Sequence, residues 1–306
     1  MSARIAVLGS ANMDLVVSVP RAPGRGETVS GTAFRTLPGG KGANQALAAQ
    51  RAGGQVHFLG AVGDDGHGAQ IRELLAADGI DVSGLATVDE PTGTAHIVVD
   101  DAGENSIVVV PGANATLQSM SAHHRETIAA AEVLLLQLEL PLGIVAEAAA
   151  FARAQGVRAI LTPAPAIPLP AGLFADIDLL VPNQHEAAIL AGTSEPDAAG
   201  RALNTRGCDV LVTLGAAGSR YYTSDSDTAL ALPAFTVPAV DTTAAGDSFV
   251  GAFAVASAEG GDVRSAVRFA SAAAALTVGR VGASASIPWR TDIDRFLTDH
   301  PEQSAC

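Results

Sequence analysis

Cysteine is nearly absent. The 306-residue chain holds two, Cys208 and the terminal Cys306, which excludes a disulfide framework or a zinc ribbon and suits a reducing compartment. Basic charge is short as well, 18 Lys and Arg against 32 Asp and Glu, a formal −14. Such a surface repels phosphate backbones and excludes general nucleic-acid binding, so a phosphorylated small ligand needs local backbone dipoles or a metal ion to hold it. No apolar run reaches the ~18 residues needed to span a bilayer, and the opening MSARIAVLGSANMD lacks a signal-peptide layout. A cytoplasmic protein is the expectation. Aromatics are only 4% of the chain, so Phe269, Trp289 and the few others are expected to be packing residues. The seven histidines show no metal-ligand spacing. The adjacent His123 and His124 point about 100° apart on a helix, as on a solvated face.

Several signatures are missing too. No G-x-G-x-x-G opens the first helix, Lys41 is followed by Gly42 rather than Ser or Thr, and no G-x-S-x-G occurs. These absences argue against a dinucleotide dehydrogenase, a P-loop nucleotidase and a serine hydrolase.

What is there is an alternation of short apolar runs and alanine-rich helical segments. RIAVLGS (4–10), VHFLGAVG (56–63), VLLLQLE (133–139), RAILTPA (158–164), DLLVPN (178–183) and DVLVTLG (209–215) read as buried strands. Helices are expected at 43–53, 68–79 and 144–156, with long ones at 246–259 and 262–280. Continuous Val, Ile and Leu strands separated by helices predict an α/β three-layer body on a mainly parallel sheet. Two segments, 14–37 and 94–112, alternate instead as antiparallel hairpins and predict a small β-sheet lid. No linker or internal repeat divides the chain, so residues 1–306 are expected to form one domain that includes the lid.

Ligands in open α/β sheets bind beyond the carboxyl ends of the strands. Asn12, Asp14, Glu139, Asn183, Glu186 and the Gly215 loop all fall just past expected strand ends. The stretch PGGKGANQALAA (38–49) runs a glycine-rich loop into a helix, with Asn44 placed to face a hydroxyl-rich ligand. DTTAAGDSFVGA (241–252) sets a carboxylate at a helix start. Asp247 there is either a helix cap or a catalytic group. The amides of Ala244, Ala245 and Gly246 beside it form an anion cradle, and a base next to such a cradle is what phosphoryl transfer requires. The base reading is therefore preferred.

DTTAAGDSF, GGKGAN and VPNQHEA together resemble the signatures of the ribokinase (PfkB) family of carbohydrate kinases, and the likeness runs from GSANMD to GASASIPWR. The resemblance implies ATP-dependent transfer to the 5-hydroxyl of ribose, with Asp247 as base. It implies that Asn12, Asp14, Gly40, Lys41, Gly42, Ala43, Asn44 and Glu139 hold the sugar. Around ATP it places Asn183, the loop Gly215, Ala216, Ala217, Gly218, Ser219 and Arg220, and also Gly246, Asp247 and Ser271. Ser271 stands where family members often carry a larger polar side chain. Glu186 is implied to act through water on Mg²⁺. An activating K⁺ site is implied at Asp241, Thr243, Thr277, Arg280, Gly282 and Ser286, and a homodimer through the lid. Two other readings stay open: a kinase of the same family acting on a nucleoside, fructose or related sugar, and a non-catalytic sugar-binding regulator.

Overall fold

Burial along the first strand decides the architecture. In β1 (Arg4–Leu8), Ile5 and Val7 face one way, Ala6 and Leu8 the other, and all four are fully buried. A strand buried on both faces has to lie inside a sheet covered on both sides. The computed structural model describes residues 2–226 and 228–301 and shows that sheet; Cys306 lies outside the described residues, and Cys208 is a buried free thiol.

After β1 the chain leaves the main sheet in β2 (Asn12–Ser18) and β3 (Ala33–Gly39), then returns in β4 (Gln55–Gly63) and β5 (Asp81–Val88). It leaves again in β6 (Gly93–Val99) and β7 (Asn105–Val110). The strands β8 (Val133–Gln137), β9 (Arg158–Thr162), β10 (Leu179–Leu180) and β11 (Asp209–Thr213) complete the parallel part. An antiparallel margin follows, β12 (Ser219–Tyr222) and β13 (Leu230–Leu232). The order is β13-β12-β11-β10-β9-β8-β1-β4-β5.

One face of the sheet is covered by α1 (Lys41–Arg51) and α2 (Gly66–Ala77). The other is covered by α3 (Ala122–Ala130), α4 (Leu142–Gln155), α5 (Ala171–Asp176), α6 (Gln184–Ala191) and α7 (Pro196–Asn204). The last three helices, α8 (Ala245–Ala258), α9 (Val263–Val278) and α10 (Arg290–Asp299), join α1 and α2. Two apolar cores result, one around Val7, Leu47 and Phe253 and one around Leu8, Ile144 and Phe174.

The second sheet has the order β3-β2-β6-β7. Strand β2 is antiparallel to β3 but parallel to β6. It starts at Asn12, so Asn12 and Asp14 belong to the small sheet itself rather than to a loop after β1.

Some expectations are corrected. Of 178–183 only Leu179–Leu180 is strand, because Asn183 turns at once into a helix cap. His124 is buried rather than solvated: its ring nitrogen accepts the Ser121 amide in a capping box, and burial pulls its pKa below the usual histidine range. Trp289 is half exposed, and the Arg51 guanidinium stacks 5.3 Å from its ring centre.

Candidate active site

Glycine at two positions lets the first turn and the first helix touch. A Cβ on Gly9 would lie 2.6 Å from the Cα of Gly42, and one on Gly42 would lie 2.5 Å from the Ser10 nitrogen. Gly40, at φ 90°, turns the chain into α1. This close packing brings the α1 N-terminus onto the ends of β1 and β8. Gly40, Lys41 and Asn44 face an open cleft of about 830 Å³. Gly42 and Ala43 do not: their amides go to the Ser10 hydroxyl and the Ser10 carbonyl.

Asn12, Asp14, Glu139 and Asp247 line the same cleft. One oxygen of Glu139 is held by the Ser10 hydroxyl at 2.5 Å, the Lys41 amide at 3.1 Å and the Asn12 amide at 3.4 Å. Its other oxygen is left for a ligand. The Asp14 carboxylate has no hydrogen-bond partner among the described residues. Burial, then the charges of Glu139 and Asp247, push its pKa up to about 7, against a weaker pull from Lys41. Burial pulls on the Lys41 ammonium, yet Asp247, Glu139, Glu186 and Asp14 together hold its pKa above the usual value.

Asp247 is not a cap. It sits in the first turn of α8, and its carboxylate accepts instead from α1: Asn44 Nδ2 at 3.2 Å and Gln45 Nε2 at 3.1 Å. Burial raises its pKa, opposed by Lys41 and the two amides. Ala244 takes the left-handed conformation (φ 60°), the one non-glycine to do so among the described residues. A turn of that kind followed by a helix start gathers backbone N–H groups into an anion-binding concavity. The Ala245 amide is already taken by the Thr242 carbonyl at 3.3 Å. Those of Ala244, Gly246 and Asp247 have no acceptor among the described residues, as a first helical turn allows.

A second cleft, about 400 Å³, opens on the other side of this turn. Gly215, Ala216, Gly218, Gly246 and Ser271 line it, with Phe249, Val237 and Val278 as apolar walls. Ala239 and Thr242 border both clefts. The structure does not bring Asn183, Ala217, Ser219 or Arg220 to these walls. Ser219 and Arg220 are inside β12, paired to β11 and β13, and the Arg220 guanidinium lies 3.5 Å from Asp197. Asn183 and Glu186 form a capping box on α6. The Asn183 side chain accepts from the amides of His185 and Glu186, and one Glu186 oxygen accepts from the Asn183 amide at 2.8 Å. Burial raises the Glu186 pKa, and its second oxygen stays free.

Asp241 bridges two loops. One oxygen accepts from the Thr243 amide and hydroxyl, the other from the Gly282 amide at 3.0 Å. Burial would raise its pKa, but these donors hold it below the usual range. The Thr277 hydroxyl is spent on Ser248 and Ala273, and the Ser286 hydroxyl on Ala283. The Arg280 guanidinium lies 3.5 Å from Asp292.

Sequence reasoning missed Ser10, Gln45, Gln137 and Thr162. Gln45, fully buried, donates to both Asp247 and Thr162 and accepts from Gln137 Nε2 at 2.7 Å. A glutamine inside the apolar run VLLLQ was the available signal, since a buried polar side chain needs partners.

Residues 2–290 match the profile of the family described as "pfkB family carbohydrate kinase". The chain is 42% identical over 297 residues to the ribokinase of Bacillus subtilis, covering 96% of this chain and 99% of that one. It is 40% identical over 307 residues to the ribokinase of Schizosaccharomyces pombe, covering 95% and 96%. Among solved structures, Arabidopsis thaliana ribokinase complexed with ribose and ATP matches with a TM-score of 0.91 at 36% identity, over 97% of this chain and 99% of that one.

Proposed function

The chain belongs to the pfkB family of carbohydrate kinases, and from that premise we propose that it transfers the γ-phosphoryl group of ATP to the 5-hydroxyl of D-ribose, giving ribose 5-phosphate and ADP. One observation carries the reading. A polar cleft lined by carboxylates and an apolar cleft meet at a single turn, with Asp247 on the first side and Gly246 on the second. Asn12, Asp14, Lys41, Asn44 and Glu139 suit hydroxyls, each offering directional donors or acceptors; the buried Asn44 Oδ1 has no partner of its own. Gly40 lets the chain pass close by. The apolar slot, with Gly215, Gly218 and Ser271, suits a nucleotide base. Asp247 takes the proton as the sugar oxygen attacks phosphorus, and the bond to the leaving ADP breaks. The free amides of the 244–247 turn receive the charge on the phosphoryl oxygens.

No aromatic ring stands among the walls of the polar cleft, which favours a sugar over a nucleoside. An ADP-release assay with ribose, adenosine and fructose decides: ribose is expected to give the highest kcat/KM. A rival ~100-fold better would overturn the substrate while leaving the fold untouched.

The free oxygen of the partly buried Glu186 fits Mg²⁺, a hard ion that takes oxygen ligands and keeps several waters. Bound with ATP it neutralises phosphate charge. For K⁺, the anionic Asp241 and the oxygens of Thr243, Thr277, Arg280, Gly282 and Ser286 fit as donors, through carbonyls where the hydroxyls are already used. Such an ion would stiffen the loop that presents the amides. Potassium is therefore expected to raise kcat more than it lowers KM, and Asp241→Ala to abolish that response. Equal rates in sodium, potassium and cation-poor buffer would sink this site.

We read residues 1–306 as one kinase domain acting as a homodimer in the cytoplasm, paired through the small sheet. Phe34, Ile107 and Val108 there are more than half exposed, and β7 is an unpaired apolar edge. A monomer in sedimentation at micromolar concentration would remove the dimer. No helix among the described residues is long and apolar enough to cross a membrane.

A further inference from the structure

Asn114 lies in a short 3₁₀ turn just after β7 and is almost wholly buried, 1% exposed. It touches neither cleft. Its Oδ1 accepts the Ala11 amide at 3.0 Å, and its Nδ2 faces the carbonyls of Ala11 at 3.2 Å and Pro111 at 3.1 Å. A backbone N–H can only donate and a carbonyl can only accept, so the Asn114 amide has one orientation. Its Nδ2 also lies 2.8 Å from the side chain of Asn12. The Asn12 atom there must be Oδ1, and Asn12 is therefore compelled to aim its Nδ2 at Glu139 and the cleft.

The surrounding packing leaves no slack. A Cβ on Gly93 would sit 2.4 Å from Asn114 Nδ2 and 2.4 Å from Asn12 Oδ1, and one on Gly112 would sit 2.3 Å from the Pro91 carbonyl. The Ala113 amide ties the turn to Pro91 at 2.8 Å. The start of β2, the start of β6 and the end of β7 thus converge on one side chain.

We propose that Asn114 is a positioning residue for the sugar: acting through Asn12, it holds that amide as a donor toward the cleft. This rests on the reading of the polar cleft as the sugar site. Without Asn114, the Asn12 Oδ1 loses its donor and only the long 3.4 Å contact to Glu139 is left to orient the amide.

The test is a double-mutant cycle on the full-length enzyme, using ribose KM, kcat and ATP KM for Asn12→Ala, Asn114→Ala and the pair. Asn114→Ala is expected to raise ribose KM about 10- to 30-fold, the worth of one to two buried hydrogen bonds, with ATP KM nearly unchanged. In the Asn12→Ala background the same substitution should add almost nothing, because its effect runs through Asn12. Additive losses, or a ribose KM within twofold of the parent, would overturn the proposal. An Asn12→Ala enzyme with unaltered ribose KM would instead overturn the sugar-site assignment beneath it. If Asn114→Ala fails to fold, Asn114→Asp keeps the acceptor for Ala11 and loses the donor to Asn12. The same KM pattern is expected of it, and an unchanged ribose KM there would equally overturn the proposal.

Discussion

Asparagine in place of Asp247 is expected to lower kcat by about 10²–10⁴-fold, the usual cost of losing a general base, with the melting temperature held or slightly raised. The structure says why the two readouts separate. The carboxylate is buried and its pKa is raised chiefly by that burial, so a neutral isostere removes a desolvation cost. Two donors now face the site, from Asn44 and Gln45, and an asparagine presents one oxygen and one N–H₂. Gln45 cannot turn over alone, since its Oε1 accepts from Gln137. Asn44 can: its buried Oδ1 has no partner, and a flip offers that oxygen to the new donor. Kinetics and thermal melting on the purified variant check this. Near-normal kcat with a lower melting temperature would return Asp247 to the role of a helix-end residue. In the parent enzyme, activity should fall on acidification at a pH above the ordinary aspartate range, because the base must be ionised.

Asp14→Asn should likewise separate binding from stability. Loss of a charged acceptor for a hydroxyl is expected to cost about 10- to 100-fold in ribose kcat/KM. Yet the variant should melt higher at pH 8. The Asp14 pKa rises from 3.8 to about 7 on folding, so between those values the native state keeps a proton that the unfolded chain has released. Stability therefore falls as pH climbs through that window, and above about 7 both states are ionised and the full penalty stands. A neutral side chain lifts it, on the order of a few kcal/mol, at roughly 2–4 °C per kcal/mol for a chain of this kind. The gain should shrink toward pH 5. A gain that is the same at pH 5 and pH 8, or a lower melting point at pH 8, would contradict this account of the cleft.

The fold was legible where periodicity is local. Runs such as IAVL and VLLL carry two-sided burial in their composition, and the parallel sheet followed. Strand β5 (DVSGLATV) did not announce itself, because an edge strand exposes one side and mixes its pattern. Strands β12 and β13 are short and lie past a glycine turn, so their pairing depends on a register no window contains. In the site, contiguous motifs gave Asp247, Lys41 and Asn44. The contacts of Gln45 with Gln137 and Asp247 span 92 and 202 residues, and nothing short of the fold brings them together. Asn183 and Glu186 serve local structure as well: their spacing is also that of a capping box, and the structure uses it as one. Packing alone demands Gly42, whatever else it serves, because a Cβ there would meet the Ser10 backbone.

Strand β2 carries two cleft-facing side chains at its first and third positions and remains paired on both sides through Ser18. At about 3.3 Å per residue, Asp14 lies ~7 Å from Asn12 and Ser18 ~20 Å. A rigid strand pivoting by ~10° about Asn12 carries Ser18 through ~3.5 Å but Asp14 through only ~1 Å. That smaller arc is still comparable to the tolerance of a hydrogen bond. The strand is a lever with a short arm in the cleft and a long arm at the rim. A displacement at the far end is divided by about three before it reaches Asp14, and a ligand that seizes the short arm sets the position of the whole rim.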